Sequence, residues 1–190
     1  MTNKRMKNKS TSFFKKFLLE MPAIMLGLLL ALGLNSWKEN KDRENNAKIL
    51  VESITEEIKE NYQTLLDVKK QYSKIFREND SVINLYKKGL IKTLRIGTVT
   101  TRLQSVAWNT ANVSEDVSII PSDVLIRIAK VYEEQERVDL IIQSLDNYYI
   151  NKDPDKSGLT SAKIKQNHMS NLISRHNDLE KKYKEFLQKK

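Results

Sequence analysis

One stretch decides the arrangement of this 190-residue chain: Phe17-Leu-Leu-Glu-Met-Pro-Ala-Ile-Met-Leu-Gly-Leu-Leu-Leu-Ala-Leu-Gly-Leu-Asn-Ser-Trp37. Its 21 residues carry a single charged side chain, Glu20. As an α-helix the stretch spans about 30 Å, which is the thickness of the hydrocarbon core of a bilayer. Glu20 falls one turn inside the basic end, near headgroup depth, and Trp37 stands where an interfacial aromatic is expected. The stretch therefore predicts a transmembrane helix.

The predicted membrane anchor consists of the apolar side chains of this stretch and its terminal aromatic. Its residues are Met21, Ala23, Ile24, Leu26, Gly27, Leu28, Leu30, Ala31, Leu34 and Trp37. Within this set, Ala23, Gly27 and Ala31 recur every four residues, a spacing that lets two membrane helices approach closely. Glycine and alanine are also common in membrane helices that make no such contact, so helix–helix contact is one of two interpretations of the stripe.

A cleaved secretory signal peptide is the rival interpretation of the same stretch. Ala31-Leu-Gly33 has the small-x-small pattern of a cleavage site. However, the apolar residues run without a polar break into a charged helical stretch, which suits an uncleaved signal-anchor better. We therefore expect the segment to be retained.

The formal net charge of +9 comes from the two ends of the chain. Residues 1–16 hold six basic and no acidic residues, residues 38–180 hold 22 of each, and residues 181–190 sum to +4. Because the body is neutral, it lacks the basic surface that nucleic-acid binding needs. The six basic residues before the membrane segment outnumber the four in residues 38–52. This bias predicts a cytoplasmic amino terminus and a periplasmic or otherwise extracytoplasmic body.

Helical periodicity continues beyond the membrane segment. From Val51 to Ile75 the apolar residues are three or four apart, and Asn79-Asp80-Ser81 is a cap signal where we expect this helix to stop or kink. A short helix carries Trp108, and a long helix opens at Pro121-Ser122-Asp123. The last helix follows a loop over residues 151–158.

The fold class predicted from these elements is all-α. It comprises an N-terminal transmembrane helix followed by an antiparallel helical bundle of three long helices and at least one short helix, because each helix has one apolar face to bury. Residues 89–101 form a connector in this interpretation, with two short strands as the alternative. The domains are a basic cytoplasmic tail over residues 1–16, the transmembrane helix over 17–37 and the bundle domain over 38–190.

The sequence contains no motif typical of a common catalytic, cofactor or metal site. Without cysteine there is no thiolate ligand or nucleophile, and the five glycines are not spaced as a phosphate-binding loop. Neither His168 nor His176 follows a glutamate at the three-residue spacing of a di-iron bundle, and their separation does not fit a zincin. We therefore expect no catalytic residue, no metal, no cofactor and no enzymatic activity.

Three side chains admit a functional and a structural interpretation. His168 and His176 share one side of the last helix and could form a pH-sensitive latch or a partial metal site. We favour two histidines at the edge of the core with satisfied hydrogen bonds. Trp108 could mark a binding pocket, although a large aromatic on a short helix is more often part of the core.

Two charged groups are interpreted in the same way. Glu52, Glu56 and Glu60 align on one helix face, where a cation site is conceivable and a solvated surface is the commoner case. The Lys-rich end, residues 181–190, could touch anionic lipid, but more often such an end is a soluble helix terminus.

Two stretches resemble a family of uncharacterised bacterial single-pass membrane proteins. The first is Leu26-Gly-Leu-Leu-Leu-Ala-Leu-Gly-Leu-Asn-Ser-Trp-Lys-Glu-Asn40, since in that family an aliphatic, glycine-bearing membrane segment runs into Asn-x-Trp-x-Glu. The second is Ala107-Trp-Asn-Thr-Ala111, followed by residues 125–132. The resemblance implies a membrane-anchored helical protein and supplies no catalytic residue.

The function predicted from the sequence is that of a single-pass membrane-anchored helical protein. We expect a non-enzymatic protein-interaction or structural module whose contacts are the lipid bilayer and either a protein partner or a second copy. The alternative is an extracytoplasmic ligand-sensing or regulatory bundle acting through a separate membrane partner. The sequence indicates no nucleic acid and identifies no small molecule as a partner.

Overall fold

The computed structural model describes residues 7–97, 101–150 and 158–188. The first six residues of the predicted cytoplasmic tail and most of the predicted loop over 151–158 lie outside the described residues. Within the described ranges the chain is all-helical and has no β-strand, which confirms the predicted class. The helices are α1 (Lys7–Lys87), α2 (Val106–Asn112), α3 (Ser122–Ile150) and α4 (Gly158–Gln188), with a 3₁₀ helix at Glu115–Ile119.

Helix α1 continues past the cap signal around Asn79 to Lys87, so the predicted stop at that point is wrong. Asparagine favours helix ends because its side chain can compete for the helix's own backbone groups. Here the Asn79 side chain is 3% exposed and is bonded to the backbone of Gly97. Because the amide is engaged with another segment, it leaves the α1 backbone bonds intact.

A glycine turn ends α1 instead. The amide of Leu90 donates to the carbonyl of Leu85 (3.1 Å), and the amide of Gly89 donates to that of Tyr86 (3.0 Å). This pair of bonds is the Schellman pattern, which needs a left-handed residue after the helix. Gly89 supplies it with a φ of 73°, a conformation that costs glycine little.

The chain divides into two compact units, Met1–Asn46 and Ala47–Lys190, called here the amino-terminal and carboxy-terminal units. In the amino-terminal unit every side chain from Met21 to Asp42 is exposed. The amino-terminal unit therefore presents its apolar side chains without a protein core.

The core of the carboxy-terminal unit is formed by α1, α3 and α4 together. The predicted apolar stripe of α1 is confirmed, since its residues are buried or half-buried. α3 and α4 pack against each other and complete the core. The buried residues that these three helices contribute to it are Ile54, Ile58, Leu65, Val68, Tyr72, Ile128, Val131, Tyr132, Val138, Ile142, Leu145, Met169, Leu172, Leu179 and Tyr183.

Contacts between α1 and α4 pair in opposite sequence order. The Tyr62 ring meets the Tyr183 ring with centroids 6.1 Å apart, and further along α1 the Phe76 carbonyl accepts a hydrogen bond from Gln166 (3.1 Å).

Contacts between α1 and α3 pair in the same order instead. Glu57 meets Tyr132, and Asn61, one turn later, meets Gln135.

The connector after Lys87 runs back along α1, since Gly97 is bonded to Asn79 and Gln104 to Asn61. Of the predicted connector, residues 89–101, the described residues 89–97 and 101 contain no strand. Below, the name connector is used for residues 88–105, between α1 and α2.

The segment between α2 and α3 contains the 3₁₀ helix, at whose start the Ser114 hydroxyl accepts the Asp116 amide hydrogen (3.3 Å). Helix α3 then begins where the sequence predicts. The Pro121 carbonyl accepts hydrogen bonds from the amides of Val124 (2.9 Å) and Leu125 (3.0 Å), which are the first bonds of the helix. Proline is tolerated at this position because an N–H there would have no partner within the helix.

Candidate functional site

The predicted anchor residues all lie on α1 in the amino-terminal unit, and all of them are exposed. Leu34 is 67% exposed and Trp37 68%. Among the described residues, α1 is the one helix long and apolar enough to cross a membrane, and no residue of its apolar window is buried by protein. An exposed apolar run of this length is typical of a helix that crosses a bilayer, because so large an apolar surface is unfavourable in water.

The small-residue stripe on this segment is open. Ala23, Gly27 and Ala31 are exposed, and a Cβ added at Gly27 would meet no atom within 4 Å. The described chain therefore leaves the surface along the stripe free for a neighbouring helix or for lipid.

In the carboxy-terminal unit, two asparagines of α1 hold the connector by the same geometry. The Asn61 amide donates to the carbonyl of Gln104 (2.7 Å), and its oxygen accepts the Gln104 amide hydrogen (2.8 Å). Asn79 makes the same pair of bonds with Gly97, at 2.8 and 3.0 Å. We call these pairs the asparagine clasps. Since 18 residues are five helical turns, both clasps lie on one face of α1.

The clasp at Asn61 belongs to a larger buried network. Gln135 of α3 donates to the Gln104 carbonyl (2.8 Å), and its side-chain oxygen accepts from Asn61 (3.3 Å) and from the Tyr183 hydroxyl (2.9 Å). Asn61 and Gln135 are each 2% exposed. The network joins α1, the connector, α3 and α4 by hydrogen bonds. It stabilises their relative positions, because separating these segments would leave buried amide groups without hydrogen-bond partners.

A buried carboxylate fixes the position of α2. Glu57 is 7% exposed; it accepts the Ala107 amide hydrogen in the first turn of α2 (2.8 Å) and the Tyr132 hydroxyl hydrogen (2.5 Å). An anion at a helix amino terminus is favoured by the free amide groups there. Burial and the neighbouring Glu57 raise the pKa of the Tyr132 phenol, which keeps it protonated as the donor.

Trp108, held on α2 by this arrangement, stacks on Tyr132 with ring centroids 5.4 Å apart and planes 10° from parallel. The indole is half-buried, so it belongs partly to the core, as predicted, and partly to a surface cleft. This α2–α3 cleft has a volume of about 380 Å³. It is lined by Ser105, Trp108, Asn109, Ala129, Tyr132, Glu133, Gln135, Glu136 and Asp139.

The carboxylates of the cleft differ in their partners. Glu133 accepts a hydrogen bond from Arg137 of the same helix (2.6 Å). One oxygen of Asp139, Oδ1, is buried and has no hydrogen-bond partner. Burial raises the pKa of the Asp139 carboxyl, an effect that Arg102 opposes and Glu136 reinforces. The cleft thus combines an aromatic wall with a carboxylate whose hydrogen-bonding capacity is unused.

The other predicted candidates lie apart from this cleft. Glu52, Glu56 and Glu60 are exposed, and Glu56 accepts from Lys59 (2.8 Å), as in a solvated helix face. Within the described ranges, no three His, Cys, Asp or Glu side chains are grouped so that they could hold a metal ion. Asp67 and Glu78 are exposed and pair with nearby lysines in the same way.

His176 lies in the core, not at its edge. It is 2% exposed, its ring lies 5.0 Å from the Tyr72 ring, and its Nδ1 atom has no hydrogen-bond partner. The expectation of satisfied hydrogen bonds is therefore wrong for this residue. Burial, with a smaller contribution from the positive charge of Lys69, lowers the pKa of His176 to about 4. His168 is half-buried on the same helix.

Of the Lys-rich end, residues 181–188 are described, and their lysines pair with carboxylates. Lys184 donates to Glu180 (2.6 Å), which also pairs with Lys69 of α1, and Lys182 pairs with Glu185 (3.3 Å). The hydrogen bonds from Lys184 and Lys69 lower the pKa of the Glu180 carboxyl. Part of the terminal positive charge therefore stabilises contacts within α4, while Glu180 also joins α4 to Lys69 of α1.

The sequence did not reveal that four buried polar residues organise the cleft and the connector. These residues are Glu57, Asn61, Asn79 and Gln135.

Comparison of the chain with protein-family models, with curated proteins and with solved structures gives no match.

Proposed function

We propose that this protein is a single-pass membrane protein whose carboxy-terminal unit works as a non-enzymatic interaction or structural module. The observation that carries the proposal is the unshielded apolar run of α1 from Met21 to Trp37. Each exposed leucine side chain of such a run gains about 2 kcal/mol when it leaves water, so the run as a whole strongly favours a bilayer.

The proposed topology places residues 1–16 in the cytoplasm, 17–37 in the membrane and 38–190 in the periplasm or another extracytoplasmic space. The larger number of basic residues on the amino side supports this orientation. In this proposal the anchor is an uncleaved signal-anchor of a bacterial protein, in keeping with the resemblance to the bacterial single-pass family.

For the carboxy-terminal unit we propose a helical bundle in which α4 runs antiparallel to α1 and to α3. The opposite order of the α1–α4 contacts supports this direction. The same order of the α1–α3 contacts, with the connector held by the asparagine clasps, supports α1 and α3 running in parallel.

The proposed contacts of the protein are the bilayer and either a protein partner or a second copy of the chain. The open stripe at Ala23, Gly27 and Ala31 supports a second copy, because small residues let helix backbones approach. The alternative function, a ligand-sensing bundle that acts through a separate membrane partner, is favoured by the α2–α3 cleft, a cavity of ligand size.

Alkaline carbonate extraction of membranes tests the anchor. We expect the native chain to stay in the membrane pellet and a Leu28→Arg/Leu32→Arg double variant to be released, because each arginine near the bilayer centre costs about 3 kcal/mol. Ile49→Arg is the matched control; Ile49 is 57% exposed but lies outside the apolar run, so this variant stays in the pellet.

Release of the native chain by carbonate would contradict the anchor. The intact mass of the extracted protein separates the two interpretations of the segment. A full-length mass supports the retained anchor, whereas a mass lacking the first 33 residues would show a cleaved signal peptide.

A further inference from the structure

We propose that the α2–α3 cleft binds a small organic cation, an alkyl guanidinium or ammonium group seated between the Trp108 ring and the carboxylates of Glu136 and Asp139. This inference goes beyond the proposed anchoring function and does not depend on the side of the membrane on which the cleft lies. Its support comes from the size, the walls and the charge of the cleft.

The size of the cleft selects the class of ligand. Its volume of about 380 Å³ lies at the lower end of the range of small-molecule sites. The opening is formed by one face of α3 and the short helix α2, whose position is fixed by the Glu57 contact to Ala107. A ligand with a short aliphatic body fits this space.

The aromatic wall favours a cation. Tyr132 covers one face of the Trp108 ring at stacking distance, and the Tyr132 hydroxyl is bonded to Glu57, which fixes the tyrosine beneath the indole. A positive charge near the face of a tryptophan ring is attracted by the ring quadrupole, and the attraction increases as water is excluded.

The charge of the lining points to the same ligand. Glu133, Glu136 and Asp139 line the cleft, and no basic residue does. Glu133 is partly neutralised by Arg137 (2.6 Å), which leaves Glu136 and Asp139 as the main negative charges. These two residues are three apart on α3, a spacing that brings their side chains together on one face of a helix.

Asp139 has hydrogen-bonding capacity that the protein itself does not use. Oδ1 of this residue is buried without a donor, whereas buried polar atoms in folded proteins nearly always have one. Because Asp139 lines the cleft, a guanidinium or ammonium group bound there would offset the negative charge of this carboxylate. Arg102, the nearby protein cation, lies 3.8 Å from Asp146 and does not line the cleft.

A metal ion is not the ligand that this geometry supports. In the part of the chain that the structure describes, no group of three potential metal ligands is brought together. An organic cation needs fewer direct ligands, since its charge is spread and its carbon atoms contact the aromatic wall.

Titration with agmatine, which carries a guanidinium and an ammonium group, tests the proposal on the full chain in detergent micelles. A Trp37→Phe background leaves Trp108 as the only tryptophan and thus as the fluorescence reporter. We expect agmatine to change Trp108 fluorescence saturably, with an affinity that falls as salt is added. Butylurea, which is neutral and similar in shape, should leave the fluorescence unchanged.

Two variants in this background assign the binding to the cleft. Asp139→Asn should weaken agmatine binding about tenfold or more, because it removes a charge-assisted hydrogen bond. Asp123→Asn is the same change on the same helix, outside the cleft, and should alter the affinity less than about twofold.

The proposal is overturned if agmatine leaves Trp108 fluorescence unchanged at millimolar concentration, if butylurea binds equally well, or if Asp123→Asn weakens binding as much as Asp139→Asn. Thermal unfolding of the two variants guards against misfolding as a cause. Burial disfavours the charged form of Asp139 more than Arg102 favours it, so Asp139→Asn should melt no lower than Asp123→Asn.

Discussion

Replacement of Asn61 by leucine is expected to lower the free energy of unfolding of the carboxy-terminal unit by about 2–3 kcal/mol. Leucine is similar in size to asparagine but offers no hydrogen bond. The amide hydrogen of Gln104 then loses its acceptor, and the Gln104 carbonyl keeps only the bond from Gln135. The cost arises because the part-buried amide of Gln104 loses its hydrogen-bond acceptor, not because a cavity forms.

Asn84→Leu provides the matched control for this prediction. Asn84 lies on the same helix but is exposed, and its one side-chain bond, to Asp80, is long at 3.5 Å. This variant should change the free energy of unfolding by less than about 0.5 kcal/mol. Urea unfolding of the full chain in micelles, followed by circular dichroism, compares the two variants; equal effects would show that the Asn61 clasp is not a stabilising contact.

Acidification from pH 6.5 to pH 4 is expected to remove about 3 kcal/mol of stability through His176 alone. In the unfolded chain this histidine has its ordinary pKa of 6.5, whereas burial lowers its pKa to about 4 in the folded protein. Between pH 6.5 and pH 4, His176 is therefore mostly protonated in the unfolded state and mostly neutral in the folded state. The contribution of His176 is constant above about pH 7 and is lost as the pH falls toward 4.

The variant His176→Phe isolates this effect, since it keeps a ring beside Tyr72 but cannot be protonated. Protonation of carboxylates such as Glu180 also destabilises the folded protein at low pH. The quantity to measure is therefore the difference in unfolding free energy between the native chain and the variant at each pH. This difference should change by about 3 kcal/mol between pH 7 and pH 4. His176→Gln should give the same change, and a difference independent of pH would show that His176 is not buried in its neutral form.

The positions of the buried polar residues could be predicted from the sequence, but their roles could not. Asn61 is seven residues after Ile54, Asn79 is seven after Tyr72, and Gln135 is seven after Ile128. Each polar residue thus occupies a core position of the seven-residue repeat, which is the signal that could have identified it. Tyr62, which the predicted stripe includes instead of Asn61, is only half-buried.

The partners of these residues depend on the path of the connector, which local periodicity does not encode. Gln104 and Gly97 present backbone groups, and any residue type provides those. For the same reason Asn79 resembles a helix cap in the sequence, although its side chain bonds a segment 18 residues away. The apolar run of α1, in contrast, was predictable, because a long uncharged stretch has a direct physical meaning.

The cleft could be predicted only in part. The sequence indicates a pocket or a core contact for Trp108. In the structure Trp108 has both, since it stacks on Tyr132 of the core and lines the cleft. Glu133, Glu136 and Asp139 belong to a helix with many charged residues, so nothing in the sequence distinguishes them from a solvated face. Their meeting with Trp108 depends on the contact between Glu57 and the first turn of α2, a pairing 50 residues apart.

Cysteine labelling in intact cells measures the membrane topology directly, since the native chain has no cysteine. Val113 is 85% exposed in the carboxy-terminal unit, and Ser10 lies before the anchor, so Val113→Cys and Ser10→Cys report on the two sides. With a maleimide that does not cross the cytoplasmic membrane, we predict labelling of Val113→Cys in intact cells and of Ser10→Cys only after permeabilisation. Labelling of Ser10→Cys but not Val113→Cys in intact cells would contradict the proposed topology. Recovery of the protein in the soluble fraction, with both cysteines labelled to the same extent there, would contradict the membrane anchor itself.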